Sequence, residues 1–335
     1  MTQCDIRVRL AGPLCSLQDA GRPGFLRYGV PGSGPMDRAA LSVVNAALGN
    51  PPGQAAVEVS LGGLGLDCLA GEVSFAVAGG GFQVLLAGRS LAPWTVGTLR
   101  AGQSLTLRAG DWGSWALIGF AGQVRGTEWL GSLSTHSQSG LGGGAVTTGQ
   151  RLRIDQAEVR PTREGDLPLP DWARPAPQTR VTIGPQERFF DRQVQAAFLG
   201  PGFALSQGYD RMGVRLQGPR LPVNAALDMP SEPILRGAVQ VAGDGVATVM
   251  LADHGTTGGY PKLATLIGAD LDRFVQQRSG DPVRFVAVTP TQAVAAARAA
   301  HADLQSYLAE LAQPRPSLAQ RLMQANLISG VTDGA

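Results

Sequence analysis

Between residues 73 and 122 the chain repeats one pattern. VSFAVAG, FQVLLAG, SLTLRAG and SWALIGFAG are apolar runs of four to eight residues, each closed by a glycine-containing turn. Runs that short, punctuated by residues that accept a positive φ, pair with near neighbours and predict a β-barrel or a sandwich. Glycine (46) and proline (23) are abundant across the 335 residues, and helical periodicity is scarce. The expected fold class is therefore mostly β with a few helices.

Four helices are expected. Residues 35–48 place Pro35 in a first turn and Asp37 where the positive dipole end favours an acid. Leu41, Val44 and Leu48 line one face, and Gly49-Asn50-Pro51 stops the helix. Residues 187–199 carry Phe190, Val194 and Phe198 on one face before Gly200-Pro201. Residues 261–277 turn Leu263, Leu266, Ile267 and Phe274 inward, and the alanine-rich 290–312 ends before Pro314. REGDLPLPDWARPAPQ (163–178) has the composition of a linker. The expected division is an N-terminal unit over 1–165, a linker over 166–178, a C-terminal unit over 179–312 and a tail over 313–335. DAGRPGFLRYGVP (19–31) echoes DRMGVRLQGP (210–219), in keeping with a duplicated fold. SLAQRLMQANLI in the tail is amphipathic, either docking on a partner or fraying.

A net charge of +2 without basic runs speaks against a nucleic-acid partner. No stretch of eighteen apolar residues occurs, and MTQCDIRVRL alternates like a strand and not like a signal peptide, so a cytoplasmic protein without membrane association is expected. Cys4, Cys15 and Cys68 lack C-x-x-C spacing, and His136, His254 and His301 lie far apart. Neither a disulfide framework nor a metal site is expected.

Of 28 Lys plus Arg, only Lys262 is lysine, leaving 28 − 1 = 27 arginines. Either base composition drove lysine to arginine and spared one, or position 262 needs a compact ammonium where a planar fork does not fit. VATVMLA (246–252) reads as a buried strand running into Asp253-His254, and GTTGG then leads to Pro261 at an expected helix start. Strand, glycine-rich turn and helix N-terminus would present amides to an anion, with Thr256, Thr257 and Tyr260 in reach. A cation in a first helical turn is disfavoured by the dipole, so Lys262 either points at a ligand or carboxylate or is an ordinary solvated side chain.

DRMGVRLQGP, read as one strand, turns Arg211 and Arg215 to the same face with Gly213 between them. Two guanidiniums so placed would either hold a flat anionic group or pair with nearby acids. QDAGRPGFLRYGVPGSGPMD (18–37) is a fixed irregular loop that could aim Asp19, Arg22, Tyr28 and Asp37. GSLSTHSQSGLGGG (131–144) is a second, hydroxyl-rich loop. The nucleophile elbow G-x-S-x-G, the dinucleotide fingerprint and the P-loop are absent; the last fails at Pro261 and Leu263.

Taken in order, several stretches resemble the allophanate hydrolase subunit 2, or biotin-dependent carboxyltransferase, family: QDAGRPG, VPGSGPMD, Asn45, Glu58, LGSLSTHSQSGLGG, GPQERFF, YDRMGVRLQGP, GAVQV, DHGTTGGYPKLAT and GDPVRF. The resemblance spans residues 5–298 and implies two cyclophilin-like β-barrel subdomains with a cleft between or beside them. It departs from the family at Leu133 and His136, where Arg and Tyr are common, and at Gly255, where Gln is common.

The family includes C subunits of ATP-dependent 5-oxoprolinases, carboxyltransferase components of urea amidolyases and KipI-antagonist regulators. The first implies lactam opening of 5-oxo-L-proline to L-glutamate, with KipI-like B subunits and also A subunits as partners. ATP is used by the complex, and no cofactor is held covalently. On that reading Arg211 or Arg215 would hold the substrate carboxylate, Lys262 and the GTTGG amides would meet developing negative charge, and Asp19 or Asp253 would orient water or accept a proton. The second implies carboxyl transfer to urea or a related amide from biotin on a separate carrier. The third implies protein binding without chemistry.

Overall fold

The computed structural model describes residues 2–224 and 229–313. Its architecture is mostly β, as the short glycine-closed runs require. In the first half two sheets share one core. One has seven strands, in spatial order 123–124, 151–155, 3–11, 64–70, 104–108, 83–86 and 89–91. The other has six: 165–166, 95–100, 72–79, 115–120, 56–60 and 16–18. Ile6, Leu66 and Leu107 from the first sheet meet Val57, Phe75 and Ile118 from the second in a buried cluster. The second half closes into a seven-stranded barrel, in order 178–183, 262–266, 238–241, 247–250, 213–217, 203–209 and 282–287. Phe198 stacks on Phe285 at 4.6 Å between centroids, and Phe203 lies edge-on to both, so three aromatics fill the barrel's core.

Two of the four α-helices among the described residues, Arg38–Leu48 and Pro290–Ala312, begin at a side-chain cap. The first is Arg38–Leu48, not 35–48, because extended Asp37 accepts from the Ala40 amide at 2.8 Å and so caps the helix from outside. It lies across strands 72–79 and 115–120; a Cβ on Gly119 would sit 3.2 Å from a Val44 methyl, so glycine permits the close approach. The second is shorter than expected, Arg192–Leu199 after a single 3₁₀ turn at Glu187–Phe189. The expected helix over 261–277 is corrected: Lys262–Leu266 is a barrel strand, and only Gly268–Phe274 is helical. The apolar run 263–267 satisfies either period, and pairing with 178–183 and 238–241 decides for the strand.

The helix Pro290–Ala312, capped by a Thr289–Gln292 box, returns to the first unit. Tyr307 packs edge-on against Trp94 and Trp172, and Arg163 donates to the Ala312 carbonyl at 2.9 Å. Within the linker-like stretch, Gly165–Asp166 pairs with Val96–Thr95 of the first unit. The amphipathic tail segment lies outside the described residues. No helix among the described residues is long and apolar enough to cross a membrane.

A buried polar seam joins the halves. Gln276 of the second accepts from the Ser114 and Trp115 amides and donates to Asp37 at 2.7 Å, and Asp272 accepts from the Arg38 and Ala39 amides. Trp115 Nε1 donates to the Tyr209 hydroxyl at 3.0 Å.

Candidate functional site

The glycine-rich loop and the serine loop form one assembly around Asp19. Asp19 Oδ1 accepts from Ser132 Oγ and Ser134 Oγ, both at 2.6 Å, and from the Gly21 amide at 2.9 Å; Oδ2 accepts from the Leu133 amide at 2.7 Å. Both oxygens are therefore occupied in ordering the loop. Arg22, one of the polar groups that the 18–37 loop was expected to aim, is only 2% exposed. Its Nε donates to the Trp129 carbonyl at 3.3 Å, Nη2 donates to the Ser134 carbonyl, and the guanidinium lies 4.7 Å from the Trp129 centroid. Burial lowers its pKa, opposed by Asp19 and Asp253.

Asp253 and Arg211, from the second unit, meet Glu58 of the first. Arg211 Nε and Nη2 reach Asp253 at 2.9 and 3.1 Å, Nη1 binds Glu58 Oε1, and Nη2 also donates to the Gly34 carbonyl at 2.7 Å. The Ser137 amide donates to Asp253 and the Met36 amide to Glu58. All three charged side chains are buried. Burial would raise the Asp253 carboxyl, but Arg211 outweighs it and holds the group below the usual carboxylate range. Glu58 goes the other way, raised by burial in spite of Arg211. One guanidinium thus faces two buried carboxylates that it does not stabilise equally.

The expectation that Arg211 and Arg215 share a face is corrected. The strand begins at Gly213, after a tight turn in which Asp210 Oδ1 accepts from the Met212 and Gly213 amides. That turn swings Arg211 inward, whereas Arg215 stays on the strand, half exposed, and pairs with Asp244 at 2.9 Å. Arg215 lines a separate surface groove with Ser206, Gln217 and Arg220.

Lys262 is buried, and its ammonium has no hydrogen-bond partner among the described residues. Glu232 Oε2 stands 3.9 Å away. Gln186 ties the group together, its Oε1 accepting from the Lys262 amide at 2.8 Å and its Nε2 donating to Glu232 at 2.6 Å. Burial lowers the Lys262 pKa, partly offset by Glu232. The helix-dipole part of the expected anion site is corrected, since a strand and not a helix follows Pro261. Thr257–Gly258 pairs with Pro233–Glu232 in a separate two-stranded sheet, and the Thr256 carbonyl accepts from the Ile234 amide. Thr257 and Tyr260 are exposed. His254 is buried; its Nδ1 lies 2.7 Å from the Gly255 carbonyl, and burial lowers its pKa, so the ring is neutral at pH 7. Asp37 serves as a helix cap, with its pKa raised to about 7 by burial and by Asp272.

Reasoning from residue types missed the roles of Glu58, Gln186, Glu232 and Arg236. Glu58 had a legible signal, a lone acid inside the otherwise apolar strand AVEVS, every residue of which is buried. Arg236, half-buried, donates to the Pro35 carbonyl at 3.0 Å and to that of Met36, and desolvation together with Arg38 lowers its pKa to about 10. The 32–36 segment is thus clamped by Arg22, Arg211, Arg236 and Glu58, three of them distant in sequence.

Comparison with known proteins agrees with this architecture. The chain is 32% identical over 312 residues to the C subunit of 5-oxoprolinase from Escherichia coli, covering 92% of this chain and 97% of that protein. It superposes on the crystal structure of TTHA0988 with a TM-score of 0.75 and 30% identity, covering 84% of this chain and 55% of that one. It superposes on Kluyveromyces lactis urea amidolyase with a TM-score of 0.79 and 25% identity, covering 92% of this chain and 20% of that one. The chain thus spans little more than half the length of the first solved relative and a fifth of the second. A family model described as "Carboxyltransferase domain, subdomain A and B" matches residues 28–287, most of both halves, and the chain belongs to that family.

Proposed function

We propose that this chain is the C component of a cytoplasmic, ATP-dependent 5-oxoprolinase, opening 5-oxo-L-proline to L-glutamate together with its B and A components. The observation that carries the reading is the buried Lys262 ammonium, with only a long ion pair to Glu232 and no hydrogen-bond partner among the described residues, in a chain that matches the C component of a 5-oxoprolinase over almost its whole length. A desolvated cation whose donors go unsatisfied costs stability, and is retained where negative charge arrives during function.

Amide resonance protects a five-membered lactam from water. In the proposed reaction the amide oxygen attacks the γ-phosphorus of ATP and ADP leaves. Water then adds to the activated carbon, the ring C–N bond breaks as nitrogen takes up a proton, and a second water hydrolyses the resulting acyl phosphate to the carboxylate and free phosphate. Lys262 stabilises negative charge on the amide or phosphoryl oxygen, worth most in a water-poor site. Arg211 acts through position, holding Asp253, Glu58 and Gly34 in register. Residues that handle ATP come from the partner chains.

A second reading is supported by the similarity to urea amidolyase: carboxyl transfer to urea or a related amide from biotin on a separate carrier. Urea and a lactam share a planar N–C=O group, so one site design serves either. Reconstitution separates them. The purified chain with its partner chains, ATP and 5-oxo-L-proline should yield glutamate; its absence, with ATP-dependent carboxylation of urea in the presence of a biotinylated carrier, reverses the order.

A further inference from the structure

Arg22 is a buried guanidinium without an anion. Among the described residues no carboxylate lies within ion-pair distance of it; its bonds run to two backbone carbonyls, and Nη1 has no partner. The nearest acids are committed elsewhere, Asp19 to the serine loop and Asp253 to Arg211. A second group without a partner lies on the adjoining turn. Ser33 is 7% exposed, its hydroxyl makes no hydrogen bond, and its φ is +51°, a conformation that non-glycine residues rarely adopt.

The two loops touch through their backbones. The Arg22 amide donates to the Gly32 carbonyl at 2.8 Å, and a Cβ on Gly21 would lie 2.6 Å from that same oxygen. The carbonyls of Gly32, Gly34, Pro35 and Met36 are taken by Arg22, Arg211 and Arg236. The amides of Gly32, Ser33 and Gly34 donate to nothing in the described chain. Carbonyls are thus drawn off toward cations, while successive amides, one hydroxyl and one guanidinium N–H are left over. All are donors. Gly21, Gly32 and Asp19 beside the buried pair are half-exposed.

We propose that Ser33 Oγ, the Gly32–Gly34 amides and Arg22 Nη1 together bind a carboxylate, which is that of 5-oxo-L-proline. The identity of the carboxylate rests on the 5-oxoprolinase reading; the donor set does not. Donors held on an over-determined turn suit an anion with lone pairs on two oxygens, and the strain at Ser33 is retained because it aims the hydroxyl. The site also accounts for substrate orientation, which Arg215, out on the opposite surface, does not supply.

The test is amide NMR on the full chain, titrated with sodium acetate, 5-oxo-L-proline and 2-pyrrolidinone, the same lactam lacking a carboxylate. Both carboxylates should move the amides of residues 32–34 and 2-pyrrolidinone should not. Ser33→Gly, which relieves the positive φ and removes the hydroxyl, should weaken binding about tenfold, and Arg22→Lys should weaken it too. Parallel reconstitution separates the claims. Carboxylate shifts at 32–34 without glutamate formation leave the donor site standing and remove the substrate. Glutamate formation with KM unchanged in both variants, or no shift at these amides, overturns the site and leaves the enzyme.

Discussion

Replacing Arg211 by methionine tests whether the Glu58–Arg211–Asp253 group holds the two halves together. The substitution keeps an aliphatic stem in a space that is 1% exposed, so packing changes little. What is lost is the cation between two buried carboxylates, and with it four polar contacts to Glu58, Asp253 and Gly34. Removing one partner of a buried ion pair costs about 3–5 kcal/mol, and at roughly 1.5 °C per kcal/mol for a chain of this length the unfolding midpoint should fall by about 4–8 °C at pH 7. The pH dependence carries the reasoning. In the native chain Arg211 depresses Asp253, so that contribution is present above the unfolded carboxylate pKa and is lost as pH falls. Without the guanidinium, burial alone acts on both acids and raises them, so their stability cost grows as pH rises through the raised values. The deficit of Arg211→Met is therefore largest near neutrality and shrinks toward pH 5, and adding Glu58→Gln with Asp253→Asn recovers much of it. Calorimetric scans of the full chain between pH 5 and 8 measure this. A deficit below about 1 kcal/mol, or one equal at both ends of the range, would refute the account.

Lys262→Met should lower kcat of the reconstituted complex by at least about a hundredfold while leaving thermal unfolding unchanged or raised, because the ammonium makes no hydrogen bond among the described residues; a lower midpoint with normal turnover would make the lysine structural. Asp37 has a folded pKa raised to about 7 from 3.8, so its contribution is complete below 3.8 and lost as pH rises through 7. Asp37→Asn, whatever it costs in mean stability, should flatten the fall in unfolding midpoint between pH 5 and 8, and an unaltered slope contradicts the assignment. Arg215→Ala should leave both turnover and thermal stability as they are, since its partner Asp244 is exposed at the surface; a raised KM would return Arg215 to the substrate.

Much of the fold was legible in the chain, and its errors have a common cause. The helix over 290–312 was legible with its bounds because an alanine-rich run before a proline is a local signal, whereas Asp37 was read as lying inside its helix and proved to cap it from outside. KLATL did not announce its strand, because an apolar run buried on both sides fits two periods and only its neighbours at 178–183 and 238–241 choose between them. The candidate site divides the same way. The motifs carrying Asp19, Arg22, Arg211, Asp253 and Lys262 were visible as glycine-rich or charged interruptions. Their partners were not: Glu58 lies 153 residues from Arg211, and Ser134 lies 115 from Asp19. Reading DRMGVRLQ as one uninterrupted strand put Arg211 beside Arg215, and the Asp210 turn undid that pairing.

By itself the sequence determined the strand-rich class, the caps, the breaks between elements and the rarity of lysine, all properties set by neighbours along the chain. Which charges would be neutralised, which carboxyl would be raised and which depressed, and which donors would be left without a partner were decided only when the two halves closed on one another. Desolvation and ion pairing depend on distance through space, and no local pattern encodes the groups that folding brings from a hundred residues away.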